Sequence, residues 1–401
     1  MRLKLHYWLF IIVCVVPMVQ ATQLSEFDFH KLQQVQHLLD NGHIQKAKNL
    51  LNKWLQSTGK QSRQDYASTL GHIKLGRIAI IQNTPKPALN QFLKAYQTGL
   101  LDNHQQSQLL LTIAQLHLNL GQWQSGVNKL NLWLHQTPRQ NHIALQYYQL
   151  AIGYYHLKSW KKGLASIRMA LLEQDSPHIS WYQLAVALAT SDKKWPRAIQ
   201  WQQKIIESAP QKMTHWEQLA SLEIQGQHMK AALATMRLAW QRQLFDHPRN
   251  YQLLAQLAIH EKIPYLAAQA LESAINKRML KATPANLRQI AQLLIQARSD
   301  RKAVAFYKKI IQKTDKPSDY QQYMSLLLNQ NRWHTALNAY QQALAKHITS
   351  PQLHLIAGIA AIKTGSYIKA RQYLFLAQNT PAFKSSSRAW LQYLKQIQQA
   401  N

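Results

Sequence analysis

The chain has 401 residues, with 47 Lys and Arg against 17 Asp and Glu and a formal net charge of +30. So few carboxylates argue against a paired-carboxylate catalytic site, and a single cysteine, Cys14, excludes a disulfide framework. The positive charge would attract polyanions, although basic residues scattered over solvated helix faces explain it equally well.

Residues 1–21 have the features of a secretory signal peptide. A basic start is followed by an apolar run over 5–16, with small residues at positions −3 and −1 of a cleavage site between Ala21 and Thr22. The run is shorter than the roughly 20 residues of a membrane-spanning helix. A lipoprotein signal that uses Cys14 is the alternative, but the residue before it is not small. The sequence therefore predicts export to the periplasm, where nucleic acid is a poor candidate partner.

From residue 22 the chain repeats one unit, which is seen most fully from Ser107 to Pro138. Small residues fall where two antiparallel helices would touch, larger apolar ones fall between them, and a proline closes the unit. The pattern residues are Ile113, Ala114, His117, Gly121, Trp123, Gly126, Leu130, Trp133 and Pro138. This is the tetratricopeptide repeat (TPR) pattern, whose units are about 34 residues long. Neither helix of a unit can bury its apolar stripe alone, so each unit needs a neighbour.

In the second helix of each later unit, a small residue begins the face that contacts the first helix. The spacing of this residue gives the repeat length. It recurs at steps of 34, 35, 36, 33 and 34 residues. The residues are Ala198, Ala232, Ala267, Ala303, Ala336 and Ala370. We therefore predict an all-α fold: an α-α superhelix (solenoid) of about ten TPR helix pairs over residues 22–382. A C-terminal capping helix would follow over 383–401, with Ser385 to Ser387 capping a helix from Arg388 to Gln399.

The sequence carries no strong catalytic or metal-binding pattern, which favours binding over catalysis. His260 and Glu261 begin like a zinc-protease helix, but no second histidine follows at the required spacing. The pattern tryptophans occupy packing positions, so we expect them in the core rather than as ligand stackers. They are Trp123, Trp160, Trp181, Trp216 and Trp333. The sequence predicts a non-catalytic protein without a cofactor or metal.

The first helix of each TPR pair is expected to line a concave groove that holds a protein partner. The predicted partner-binding residues are Gln108, Gln115, Asn119, Tyr148, Tyr155, His156, Tyr182, Gln256, Arg288 and Gln292, with Arg249, His260 and Gln296 on the same lines. The groove lacks the Lys and Asn pair of a clamp for a C-terminal carboxylate. We expect Tyr148, Tyr155 and Tyr182 to form a cluster that holds an extended peptide. The alternative is that adjacent helices bury these rings.

Five segments give a more specific resemblance. They are residues 111–117, 194–196, 215–220, 263–268 and 387–391, and the Ile-Pro-Tyr-Leu-Ala-Ala segment at 263–268 is the most specific because TPR patterns do not require it. In this order they resemble a bacterial TPR family encoded with TonB-type energy-transduction systems. The resemblance implies a periplasmic accessory of a TonB–ExbB–ExbD-type uptake complex, and it carries no catalytic residues. The strong positive charge departs from relatives that tend to be acidic or neutral.

Two interpretations follow from the sequence. The first is an interaction scaffold in a TonB-type uptake system, with a partner peptide in the groove. The second is a general envelope-assembly factor whose basic surface docks on anionic lipid or lipopolysaccharide. Flanking genes for TonB, ExbB and ExbD would favour the first.

Overall fold

The computed structural model describes residues 24–57 and 65–400. The predicted signal peptide and its cleavage site at Ala21 and Thr22 lie outside the described residues. Within the described ranges all regular secondary structure is helical, which confirms the all-α fold class.

The described chain folds into a run of short helices joined by tight turns. In chain order they are α1 (Glu26–Asp40), α2 (Ile44–Ser57), α3 (Tyr66–Ile81), α4 (Pro85–Gln97), α5 (Asn103–Asn119), α6 (Trp123–Gln136), α7 (Ala144–His156), α8 (Trp160–Leu172), α9 (Ile179–Ser191), α10 (Trp195–Ser208), α11 (Met213–Gln225), α12 (Met229–Gln241), α13 (Pro248–His260), α14 (Pro264–Asn276), α15 (Pro284–Gln296), α16 (Asp300–Ile311), α17 (Pro317–Asn329), α18 (Trp333–Ala345), α19 (Pro351–Lys363), α20 (Tyr367–Gln378) and α21 (Pro381–Ala400). A short 3₁₀ helix, Arg139–Asn141, lies between α6 and α7.

The helices form ten pairs, each an odd-numbered helix packed against the even-numbered helix that follows it. They divide into two compact units, Met1–Ser208 with α1 to α10 and Ala209–Asn401 with α11 to α21. Within each unit every helix packs on the next, and neighbouring odd-numbered helices also touch, as α5 and α7 do in the first and α17 and α19 in the second. Ten pairs and a final helix over the described ranges confirm the predicted α-α solenoid. We call the solvent side of the odd-numbered helices the A face and that of the even-numbered helices the B face.

One residue with a left-handed backbone closes the turn inside every pair. These residues have φ between +54° and +75° and are Gly42, Asn83, Gly121, Lys158, Lys193, Gln227, Lys262, Arg298, Asn331 and Gly365. In the second pair, the N–H of Asn83 donates to the carbonyl of Ile80 at 2.9 Å, and that of Thr84 donates to Ala79 at 2.8 Å. The same two bonds recur in all ten pairs. This is the Schellman motif, which satisfies carbonyl groups left over at a helix C-terminus and reverses the chain.

The small residues predicted at helix contacts lie at close approaches. The six alanines that set the register, from Ala198 to Ala370, are fully buried. A Cβ atom added at Gly126 would lie 2.6 Å from Cδ2 of Leu118 in the same pair, and one added at Gly163 would lie 2.6 Å from Cδ2 of Leu188 on α9, the first helix of the next pair. Side chains of ordinary size at these positions would separate the helices, because packed interiors leave no room for added atoms.

The C-terminal helix begins earlier than the serine pattern predicts. Helix α21 starts at Pro381 and runs to Ala400 without a break, so Ser385 to Ser387 lie inside it. Ser387 is fully buried rather than a helix cap. Proline suits the first turn of a helix because its missing N–H has no intrahelical partner there. The expected start at Arg388 was wrong for this reason.

The turn motif predicts how the protein responds to changes at Gly121. Replacing Gly121 by Ala places a Cβ atom on a left-handed backbone and should lower the free energy of unfolding by about 1 kcal/mol. Gly121→Asn is the matched control and should cost much less, because asparagine occupies the same turn position at 83 and 331. Urea unfolding followed by circular dichroism, with hydrogen exchange of α5 and α6, measures both. Equal losses from Ala and Asn would contradict the motif's role.

Candidate binding faces

The predicted groove residues on α5 do not form one open surface. Asn119 is exposed, and Gln108 is half-buried with its Nε2 atom 2.7 Å from Nε2 of His104. Gln115 is only 3% exposed, and its amide donates to Oε1 of Gln149 at 3.4 Å. The prediction that Gln115 faces a partner was therefore wrong, because its side chain joins two neighbouring helix pairs.

The tyrosine cluster predicted on α7 and α9 is divided between two separate aromatic contacts, one stacked and one tilted. Tyr148 stacks on Trp181 with ring centroids 4.7 Å apart and planes 11° apart. Two turns along α7, Tyr155 contacts Trp160 with centroids 5.7 Å apart. Tyr148 is half-buried, and burial raises the pKa of its phenol. Tyr148 was expected beside Tyr182, but its ring contacts the preceding residue, Trp181.

The histidine predicted for the groove faces the helix pair before its own. The His156 ring lies 3.8 Å from the Trp123 ring with planes 3° apart, and burial lowers its pKa. Trp216 is 4% exposed, as expected for the core, whereas Trp123, Trp160, Trp181 and Trp333 are only partly buried. Trp123 packs against the edge of a core cluster. Partly exposed rings accept stacking partners from the next helix pair, which the single-repeat pattern does not reveal.

A common offset explains where these side chains go. The fifth residue of one odd-numbered helix contacts the third residue of the next odd-numbered helix. Three such contacts are Tyr148 on α7 with Trp181 on α9, Glu217 on α11 with Asn250 on α13, and Arg288 on α15 with Asp319 on α17. Helix α9 begins at Ile179, so Tyr182 is its fourth residue and does not occupy the contact position.

On the A face of α11 to α17, two bidentate ion pairs join neighbouring odd-numbered helices. Arg249 donates to both carboxylate oxygens of Glu217 at 3.0 and 2.8 Å, and Asn250 donates to Oε1 of Glu217 at 2.6 Å. Arg288 donates to both oxygens of Asp319 at 2.8 and 2.9 Å, and the Asp319 side chain is only 3% exposed. Bidentate pairs of this kind fix the guanidinium. Arg288, predicted to bind a partner, is therefore committed to joining α15 to α17.

Three odd-numbered helices of this A face carry uncharged, mostly polar stripes. On α11, α15 and α17 the solvent side is formed by residues at i, i+4, i+7 and i+11, which lie on one face of a helix. The stripes are Thr214, Gln218, Ser221 and Gln225; Ala285, Gln289, Gln292 and Gln296; and Ser318, Gln322, Ser325 and Asn329. No ionisable side chain is among them, in a protein of formal net charge +30.

Helix α13 continues the polar surface with Gln252 and Gln256, which are exposed. Together with Glu217, Arg249 and Leu253 they line a groove of about 470 Å³ between α11 and α13. Within the described chain, the side chains of six exposed glutamines on this face make no hydrogen bond to another residue: Gln252, Gln256, Gln289, Gln292, Gln296 and Gln322. Gln256, Gln292 and Gln296 were predicted as groove residues. The others could have been found from the same-face spacing of glutamines, which the fixed groove positions overlooked.

The described residues give no sign of a metal centre or a membrane span. Among them, no three His, Cys, Asp or Glu side chains come together as a set that could hold a metal ion. None of the described helices has the length and apolar character needed to cross a bilayer.

Part of the chain is similar to a known repeat family. Residues 325–382 match the family model of the tetratricopeptide repeat. No curated protein sequence matches the chain. Among solved structures, a tetratricopeptide repeat protein from Parabacteroides merdae is 15% identical, with 68% of this chain and 100% of that chain covered and a TM-score of 0.38.

Two other solved structures show similar levels of likeness. MamA from Desulfovibrio magneticus is 16% identical over 43% of this chain and 93% of its own, with a TM-score of 0.35. YrrB, described as a TPR protein with an unusual peptide-binding site, is 16% identical over 47% of this chain and 89% of its own, with a TM-score of 0.38. The TPR is generally a non-catalytic protein-interaction fold. Residues 325–382 match the tetratricopeptide repeat model, and the described residues form ten helix pairs and a final helix.

Proposed function

We propose that the protein is a non-catalytic scaffold that binds an extended polypeptide segment on the A face of its second unit. The observation that carries this proposal is the set of six exposed glutamines without hydrogen-bond partners among the described residues. Each carboxamide offers an acceptor oxygen and two N–H donors. These groups match the carbonyl and N–H groups of an extended main chain, which is free to bond because it has no internal hydrogen bonds.

The stripes of α11, α15 and α17 carry no charge, which favours recognition of a partner's main chain over recognition of its charged side chains. The ionic groups nearby, Glu217 with Arg249 and Arg288 with Asp319, are paired with each other. A partner held here would be selected through shape and main-chain hydrogen bonds. Binding would therefore depend little on salt, because screening acts on exposed charges.

The partner class we propose is a periplasmic segment of a TonB-type protein, with this protein as an accessory of a TonB–ExbB–ExbD-type uptake complex. The resemblance of five sequence segments to the TPR family encoded with such systems supports the partner class. The basic start, apolar run and small residues before Thr22 support export to the periplasm.

Removing two of the predicted glutamines tests the binding face. The double variant Gln256→Ala and Gln292→Ala should weaken binding about tenfold, because lost interface hydrogen bonds at a binding centre cost on the order of 1–2 kcal/mol. The probe is a set of fluorescent peptides that tile the periplasmic segment of the host's TonB-type protein, measured by anisotropy. Affinity for the unchanged protein should vary little between low and physiological salt.

The matched control is Gln312→Ala with Gln342→Ala, which removes two exposed glutamines from even-numbered helices or their ends. This control should bind the peptides as the unchanged protein does. Equal losses in both double variants would contradict an A-face site. Failure of every peptide to bind would contradict the TonB-type partner.

Mass spectrometry of the protein purified from its host tests the proposed export. We expect a mature chain that begins at Thr22, because cleavage after Ala21 leaves that terminus. A chain that begins at a lipid-modified Cys14, or one that retains residues 1–21, would contradict a soluble periplasmic protein.

A further inference from the structure

The B face of the second unit has a groove that the proposed peptide site does not use. It measures about 490 Å³ and lies between α12 and α14. Its lining residues are Lys230, Leu233, Ala234, Arg237, Leu238 and Gln241 from α12, with Ile263, Tyr265, Leu266 and Gln269 from the start of α14. This volume is within the range of about 300–1,000 Å³ for ligand pockets.

The α12 wall has the sequence pattern of a helix that packs along another helix. Its six lining residues follow the spacing i, i+3, i+4, i+7, i+8 and i+11. Such a spacing marks one continuous stripe over about three turns, or about 16 Å. This stripe meets the buried side of α12 at Leu233, and Ala232, Met236 and Ala239 pack inside the unit.

The floor of the groove is apolar and partly open to solvent. Leu238 is 42% exposed, Ile263 is 43% exposed and Tyr265 is 37% exposed. Three large apolar side chains that lie side by side at the surface offer area that a partner can remove from water. Helices presented to a groove of this kind bury residues spaced by three and four positions.

The charged groups of the groove are all positive. Lys230 and Arg237 are exposed, and no carboxylate lies among the lining residues. On the α14 side, Nζ of Lys302 donates to the hydroxyl of Tyr265 at 2.7 Å and lies 4.9 Å from the centre of its ring. Cations thus lie on both sides of the apolar floor, with the carboxylate of Glu272 acting electrostatically on Lys302. A partner with negative charge on the α12 side would complement Lys230 and Arg237.

We propose that this groove binds an acidic amphipathic helix of about three turns from a partner protein. The helix would place apolar side chains on Leu238, Ile263 and Tyr265, with carboxylates directed towards Lys230 and Arg237. Charge complementarity favours this occupant over a second copy of the chain, because two bodies of formal net charge +30 repel each other. The length of the α12 stripe favours a helix over a point-like anion.

The test uses the full chain and a synthetic helical peptide of about 14 residues, or about four turns. The peptide has leucines on one face and glutamates along both edges of that face, and a scrambled peptide of the same composition is the ligand control. The charge-reversal variant Lys230→Glu with Arg237→Glu should bind the peptide about tenfold more weakly. Leu238→Lys tests the apolar floor and should also weaken binding. Circular dichroism verifies that each variant is folded.

The matched protein control is Lys384→Glu with Lys395→Glu, which makes the same change in net charge at exposed positions of α21. It should change the affinity by less than about twofold, a change that screening of distant charges permits. A loss equal to that of the groove variant would overturn the proposal, because net charge alone would then explain binding. Equal affinity for the scrambled peptide would also overturn it.

Two alternative occupants of this groove, a lipid surface and a second copy of the chain, are tested alongside the peptide. Vesicles of equal parts phosphatidylglycerol and phosphatidylcholine test a lipid surface, and sedimentation tests self-association. Binding to vesicles without binding to the helical peptide would overturn the proposal, as would a dimer that Leu238→Lys dissolves. Because the variants lie on the B face, failure here leaves the Gln256 and Gln292 test of the A face unaffected.

Discussion

The left-handed residue in the turn inside each helix pair is the constraint on which the rest of the structure depends. Its two hydrogen bonds return the chain at once, so the next helix must run back against the first. Close packing then follows wherever a small residue faces the partner helix. Because the motif uses backbone groups, its side chain varies from Gly121 to Lys193 and Arg298 while the geometry is the same. For this reason helix pairs whose turn residues differ have the same turn geometry.

The two faces of the second unit differ in the chemistry that they offer a partner. On the A face, ionic groups are paired between neighbouring helices, and the stripes of α11, α15 and α17 are uncharged. On the B face, Lys230 and Arg237 flank exposed apolar side chains. A main-chain ligand and an acidic helix would therefore not compete for the same groups. Lys230 and Arg237 therefore lie on a different face from the exposed glutamines.

The sequence was sufficient to predict the helix pairs but not the contacts between them. The alanines from Ala198 to Ala370 identify the register because helix contact requires small residues in every pair. A single-repeat pattern records which residues share a face, but it contains no offset between neighbouring pairs. For this reason Gln115 was expected in solvent and is buried, and Arg288 was expected to bind a partner and binds Asp319. Only some of the six exposed glutamines were predicted from the sequence, because the exposure of each side chain depends on that offset.

The most direct test of the scaffold account is photo-crosslinking in the living cell. A photoreactive residue at position 292 lies on the A face, and one at position 342 on α18 serves as the control. The account predicts that position 292 forms covalent adducts with a polypeptide, which mass spectrometry identifies, and that position 342 does not form the same adducts. A folded protein that yields no polypeptide adduct at position 292, or the same adducts at both positions, would contradict it.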